Sequence, residues 1–198
     1  MKKAFTMLEL VFVIVIIGIL AAVIIPRIER QPLREAAIQL VSDLRYTQHL
    51  AMVDDRYDIT DVNWSRDRWV LIFENTPFTN NQESYTILSG NKIATNPQDT
   101  SKLLTGGSVS GIMYNSSVAT PELNLGMKYG ITNIGFAGCG VNGSIYFDHL
   151  GRPLTNRGLT PYPANSLLIG DCNITLFHSD GNVTVTISPE TGYAYIRD

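Results

Sequence analysis

The feature that most constrains this chain is an apolar run close to its N-terminus. Sixteen consecutive apolar positions extend from Leu10 to Ile25, and the stretch is twenty-one residues long when it is counted from Phe5. A helix of twenty-one residues is about 31 Å long, which is enough to cross the hydrocarbon core of a bilayer. The run therefore predicts a membrane-spanning helix.

Two basic residues, Lys2 and Lys3, stand just before the apolar run. Basic residues that flank a spanning segment tend to remain on the cytoplasmic side of the membrane. The pattern therefore predicts a cytoplasmic N-terminus and places everything after Pro26 on the other side of the membrane.

A cleaved secretory signal peptide is the alternative interpretation of this segment. Such a peptide also combines a basic start, an apolar stretch and small residues, here Ala21 and Ala22. Glu9 argues against it, because a carboxylate inside an apolar segment costs about 2.5–3.5 kcal/mol on insertion scales. An acid that has no partner in its own helix predicts a partner from elsewhere.

The stretch KKAFTMLELVFVIVIIGILAAVIIPR resembles the prepilin signal of type IV pilins and type II secretion pseudopilins. In that family a prepilin peptidase cuts just before a Phe that is followed by Thr-Leu-x-Glu, and it methylates the new amino terminus. The resemblance implies cleavage between Ala4 and Phe5, with Phe5 as the N-methylated first residue. Ala4 replaces the usual Gly, and because alanine is also small, we expect slower cleavage rather than none.

The resemblance also implies a role for Glu9 in assembly. Its carboxylate would meet the cationic amino terminus of a neighbouring subunit's Phe5, so that neither charge stays buried alone. Pro26 stands where the family also has a proline, at an expected bend in the helix. The implied partners are the prepilin peptidase, other pilin or pseudopilin subunits, an inner-membrane assembly platform and, before assembly, membrane lipid.

A second helical segment, 27–56, is predicted to be amphipathic and to pack on a globular head. Pro32 fits the first turn of this segment, because the N–H that proline lacks would have no partner there. Together with the apolar segment it would form a long helix from Phe5 to Met52, with a second kink near residue 31. Apolar residues recur at helical spacing along it: Leu33, Ala36, Ala37, Leu40, Leu44 and Ala51.

The remainder of the chain, 57–198, has the pattern of a β-rich head. Short β-prone runs alternate with Gly, Asn and Pro clusters. The predicted strands are Arg68–Glu74, Ser84–Leu88, Tyr129–Phe136 and Ser144–Phe147, with a short one near Ile112–Tyr114 in a loop-rich segment.

The C-terminus has the clearest β pattern. A meander of three antiparallel strands is predicted over Asn173–Ser179, Val183–Ser188 and Tyr193–Arg197, with turns at Asp180-Gly181 and Pro189–Gly192. The stretches SIYFDHLGRP and TVTISPETGYAYI resemble the H-type minor pseudopilin of type II secretion and the FimT-like minor pilins. That match rests on Gly151-Arg152 and on Pro189-x-Thr191-Gly192.

The two cysteines, Cys139 and Cys172, are separated by 33 residues and flank the Gly151-Arg152 hairpin. In an exported head we expect them to form a disulfide that stabilises the fold by about 3–4 kcal/mol. Two separate buried thiols remain the alternative, because no spacing rule fixes the pairing.

Other patterns indicate neither a cofactor nor catalysis. Gly138, Gly140 and Gly143 match the dinucleotide pattern, but a strand-like SIYF follows instead of a helix. Neither the acids near residues 54–61 nor the histidines have the spacing of a calcium or zinc site. The formal charge of −3 and the lack of a basic block in the head argue against nucleic acid as a partner.

We therefore predict an α+β protein with a pilin fold, in which a long N-terminal hydrophobic helix packs on an antiparallel β-sheet head. Residues 1–4 would be the leader and 5–26 the transmembrane and polymerisation helix. The protein would be a minor pilin or pseudopilin of the bacterial inner membrane, with a periplasmic head, that later enters a pseudopilus or pilus. The alternative is a single-pass, membrane-anchored periplasmic binding or adhesion protein that does not polymerise.

Overall fold

The computed structural model describes residues 6–24, 31–54, 60–61, 64–107, 117–158 and 164–197. The chain divides into two compact units, Met1–Gln31 and Pro32–Asp198. In the described residues the first unit holds helix α1 (Met7–Ile24), and the second holds helices α2 (Pro32–Val53) and α3 (Leu125–Tyr129). The second unit also holds nine described strands: β1 Trp69–Glu74, β2 Ser84–Ser89, β3 Lys92–Ile93, β4 Asn133–Ala137, β5 Ile145–Phe147, β6 Pro153–Leu154, β7 Cys172–His178, β8 Gly181–Ile187 and β9 Ala194–Arg197.

Helix α1 is apolar on all sides but short. Its 18 residues contain one charged side chain, Glu9, which lies in the first turn.

The structure corrects the predicted localisation. No helix in the described ranges is long and apolar enough to cross a membrane. The prediction of a transmembrane helix over 5–26 is therefore wrong, and so is that of single-pass anchoring in the inner membrane with a cytoplasmic N-terminus and a periplasmic head.

Helix α2 is the amphipathic helix that the sequence predicts. It begins at Pro32, because a proline in the first turn gives up an N–H that has no helical partner anyway. The predicted stripe is confirmed, since all its members are buried except Leu33, which is half-buried. Val41, Asp43 and Thr47 are buried as well, and they widen the stripe beyond the sequence prediction.

The strands form two antiparallel sheets. Sheet one has the order β3-β2-β1-β5-β6, and sheet two has the order β4-β7-β8-β9. The C-terminal meander of three strands is confirmed, because β7 pairs with β8 and β8 pairs with β9.

One hydrophobic core joins α2 to both sheets. Leu40 and Leu44 of α2 share this core with Leu71 of sheet one and with Ile174 and Val185 of sheet two, and all five side chains are buried. Because successive strand residues point to opposite faces, Leu71 faces α2 while its neighbours in β1 face away.

The predicted fold is therefore wrong in its architecture. The described chain holds three α-helices and two antiparallel sheets, an α+β arrangement without a long apolar helix. The helix that packs on the sheets is the amphipathic α2, and the apolar α1 belongs to the other compact unit. Of the predicted helix over Phe5–Met52, with its bend at Pro26 and its kink near residue 31, the described residues show α1 and α2, and α2 starts at a proline.

Candidate functional site

Helix α1 exposes an apolar surface on all sides. Every large apolar side chain from Met7 to Leu20 is exposed, by 40% at Ile16 and by 86% at Met7. A helix that is apolar all round is normally buried among other helices. An apolar surface of this extent indicates that a partner covers it.

Glu9 caps the helix in which it lies. The backbone N–H of Glu9 donates to Thr6 Oγ1 at 3.3 Å, and Glu9 Oε2 accepts from the backbone N–H of Thr6 at 3.4 Å. This reciprocal pair is a capping box, which satisfies two N–H groups at a helix start. The expectation that Glu9 has no partner within its own helix is therefore wrong, and the Thr6-x-x-Glu9 spacing already contained the signal.

The other predicted processing and assembly residues lie outside the described residues. These are Ala4 and Phe5 at the cleavage and methylation site, and Pro26 at the expected bend. Cleavage and methylation there stay predictions.

The predicted disulfide is confirmed. Cys139 and Cys172 are bonded, and no cysteine is left free. Cys172 is the buried first residue of β7, and Cys139 lies in the loop after β4, next to the pairing of Ala137 with Asn173. The bond therefore joins the loop before Ser144 to the start of the C-terminal meander.

The two head motifs of the sequence analysis meet at one side chain of α2. Gln48 Nε2 donates to the carbonyl oxygens of Gly151 and Thr191, each at 2.7 Å. Gly192 adopts φ +65°, and a Cβ there would lie 2.8 Å from Gly151 O. We call this meeting point of Gln48, Gly151, Thr191 and Gly192 the hairpin junction.

A buried carboxylate shapes one side of the hairpin junction. Asp148 Oδ1 accepts from the backbone N–H groups of Leu150 and Arg152, at 3.0 and 2.9 Å. Asp148 Oδ2 pairs with the Arg152 guanidinium at 2.7 Å. The Gly151-Arg152 motif therefore has a structural explanation, since its arginine neutralises the acid that closes the turn.

Another buried carboxylate, Asp43, links α2 to sheet one. Its Oδ2 accepts from the Tyr85 hydroxyl at 2.6 Å and from Gln39 Nε2 at 3.1 Å. Burial raises the pKa of the Asp43 carboxyl, and the nearby Glu122 carboxylate acts in the same direction. Burial also raises the pKa of Tyr85 well above its usual range. This pair was not predicted from the sequence, although an acid between Leu40 and Leu44 in an apolar stripe was a signal.

The glycine pattern and one of the histidines considered in the sequence analysis lie at turns of the head. The three glycines of the dinucleotide-like pattern end in a 3-10 turn, Val141–Gly143, and strand β5 follows. Within the described ranges, no three His, Cys, Asp or Glu side chains form a group that could hold a metal ion. His178 instead lies 3.4 Å from Asp180 at the β7–β8 turn.

Comparison with known proteins gives no relative. No protein-family model, curated protein or solved structure matches this chain.

Proposed function

We propose that this chain is a minor subunit of a filament of the type IV pilus or type II secretion pseudopilus kind. The observation that carries the proposal is the apolar surface of α1, which is exposed on all sides between Met7 and Leu20. Exposed apolar area of this extent is unfavourable in water and marks an interaction site. Packing α1 among the same helices of other subunits would bury it.

The charge at the start of α1 supports the same proposal. Glu9 is the one charged residue of this helix, and its carboxylate is held near the helix start by Thr6. In a bundle of such helices, the amino terminus of a neighbour's processed Phe5 would neutralise it. Charge would then set how far neighbouring helices are displaced along the filament.

The proposal assigns four kinds of partner. The prepilin peptidase would cut between Ala4 and Phe5, an assembly platform would add the subunit, and other subunits would surround α1. The head, which has its own core around α2, would present its loops to a neighbouring subunit or to an exported or surface partner.

Mass spectrometry of the native protein tests the proposal. We expect a polypeptide that begins at N-methylated Phe5 and that co-sediments with sheared filaments. An Ala4→Gly variant is the matched control, because it restores the residue usual before the cut and should convert to the same product faster. A native chain that keeps Met1, or that begins after Ala22, would contradict the proposal.

A further inference from the structure

The face of sheet one that points away from α2 carries a pocket of about 450 Å³. Its floor is a row of side chains across three strands, because Val70 of β1 pairs with Leu88 of β2 on one side and with Tyr146 of β5 on the other. Ile72 extends the floor along β1. Val70 and Leu88 are buried, and Ile72 and Tyr146 are half-buried.

The rim of this pocket is positively charged. Among the residues that the structure describes, the rim is lined by Arg66, Arg68 and Arg157 and by one acid, Asp67, so three cations face one anion there. Arg68 is in charge contact with Asp148, a carboxylate that also pairs with Arg152. The chain as a whole has a formal charge of −3, and the rim therefore has the opposite sign to the molecule.

Interlocking hydrogen bonds hold the rim in place. The guanidinium of Arg157 donates to Arg66 O at 2.6 Å and to Asp67 Oδ1 at 2.8 Å. Arg68 is buried and donates to the carbonyl of Arg157. Ser89 Oγ donates to Asp67 O at 2.6 Å, which ties the end of β2 to the same loop.

Arg66 is the cation that this arrangement leaves available. Its side chain is exposed and makes no hydrogen bond or ion pair with any residue that the structure describes. Arg157 is about half exposed, and only one of its guanidinium nitrogens pairs with Asp67. A carboxylate placed between the two arginines would therefore accept hydrogen bonds from both. The Arg157 guanidinium is held in place by its own hydrogen bonds, and the exposed Arg66 side chain can adjust to the ligand.

We propose that this pocket binds an acidic peptide segment of a partner protein, with a carboxylate at Arg66 and Arg157 and an apolar side chain on the Val70–Leu88–Tyr146 floor. Its volume and its mixture of an apolar floor with a few polar groups fit a ligand site. A nucleic acid would need a longer basic track than three arginines and would be repelled by Asp67 and by the negative chain. The inference does not rest on the filament proposal, because it concerns the unassembled chain.

Fluorescence anisotropy with the full chain tests this site, in a mild non-ionic detergent that covers the apolar α1. The probe is a fluorescein-labelled, amidated octapeptide of alternating Leu and Glu, and the matched probe has Gln in place of Glu. We expect saturable binding of the acidic probe and about tenfold weaker binding of the amide probe.

Three variants locate the binding. Arg66→Gln should weaken binding of the acidic probe about tenfold without affecting the fold, because the Arg66 side chain is exposed and makes no hydrogen bond or ion pair within the described ranges. Arg157→Gln should weaken it at least as much. Arg34→Gln is the control, since it removes the same charge from an exposed site on α2 and should leave binding unchanged.

Several results would overturn the assignment. They are a lack of binding by the acidic probe, equal binding of the amide probe, and equal affinity of the Arg66→Gln and wild-type chains. A labelled single-stranded octanucleotide that bound more tightly than the peptide, and lost affinity on Arg66→Gln, would show a nucleic-acid site instead.

Discussion

At the scale of single residues, Asp43 shows how a polar group is kept inside this core. The residue is 7% exposed, and two side-chain donors, Tyr85 and Gln39, satisfy its carboxylate. Two neutral donors do not fully replace the hydration that an ionised carboxylate loses on burial. The pKa of Asp43 is therefore raised, mainly by desolvation.

The raised pKa gives a pH dependence with a definite sign. Between the unfolded value of about 3.8 and the higher folded value, the native state binds more protons than the unfolded state. The contribution of Asp43 to the free energy of unfolding therefore falls as pH rises through that window. Asp43→Asn keeps an acceptor for Tyr85 and does not titrate, so we expect the stability of the variant, measured by urea unfolding, to gain on that of the wild type as pH rises above about 3.8.

Asp99→Asn provides a control with the opposite sign. Hydrogen bonds from Ser101 lower the pKa of the Asp99 carboxyl, so its stabilising effect is present at neutral pH and is lost as pH falls. Relative to the wild type, Asp99→Asn should therefore lose stability as pH rises toward about 3.8, whereas Asp43→Asn should gain stability as pH rises above that value. A difference between Asp43→Asn and wild type that did not change with pH would refute the role given to burial.

At the scale of elements, the hairpin junction explains why two short motifs far apart in the sequence belong together. Gln48 of α2 holds the β5–β6 turn through Gly151 and the β8–β9 turn through Thr191. Arg45, one turn earlier, donates to the carbonyl of Ala194 at 2.8 Å and so fixes the start of β9. One face of α2 thereby sets the positions of hairpins from both sheets.

Gly192 is the tightest point of this junction. A Cβ at Gly192 would lie 2.7 Å from Gln48 Nε2 and 2.8 Å from Gly151 O, and the φ of +65° adds strain for any L side chain. We expect Gly192→Ala to lower the free energy of unfolding by about 2–3 kcal/mol. Urea unfolding measures this loss.

The matched control for Gly192→Ala is Gly170→Ala. A Cβ at Gly170 would meet nothing within 4 Å, and its φ does not lie in the left-handed region. We expect this change to stay within about 0.5 kcal/mol of the wild type. Equal effects of the two substitutions would mean that the close approach at Gly192 carries no stability.

The elements that the sequence predicts well are those with a strong local pattern. Strands β1, β2 and β5, the β7–β9 meander and the stripe of α2 are all found within a residue or two of their predicted bounds. Strands β3 and β6 were missed because each has two residues and depends on a neighbouring strand for its pairing. Within the predicted strand Tyr129–Phe136, helix α3 ends at Tyr129 and β4 begins at Asn133, because Gly130 ends the helix with φ +72°.

Long-range partners explain the remaining errors. An antiparallel β-sheet head was predicted without a strand order, because which strands pair depends on contacts such as β1 with β5 that span more than seventy residues. The arginine-lined pocket was not predicted, because Arg66 and Arg157 are brought together only by the fold. Local periodicity contains no information about such pairs.

At the scale of the whole molecule, Glu9 has two roles that can be tested separately. Within α1 it caps the helix through Thr6, and in the proposed filament its charge would pair with a neighbour's amino terminus. Glutamine at the same position can still form a capping box, whereas valine cannot. The variants Glu9→Gln and Glu9→Val therefore separate the cap from the charge.

If charge pairing governs assembly, both variants should still be processed to methylated Phe5, and both should fail to enter filaments. An amino terminus buried without its counter-charge costs about 3–5 kcal/mol, so incorporation should fall at least about a hundredfold. Immunoblotting of sheared, sedimented filaments against total protein measures incorporation. If Glu9→Gln assembled like the wild type and only Glu9→Val failed, the helix cap alone, and not the charge, would explain why assembly requires Glu9. The apolar surface of α1 would then have to set the register of assembly without it.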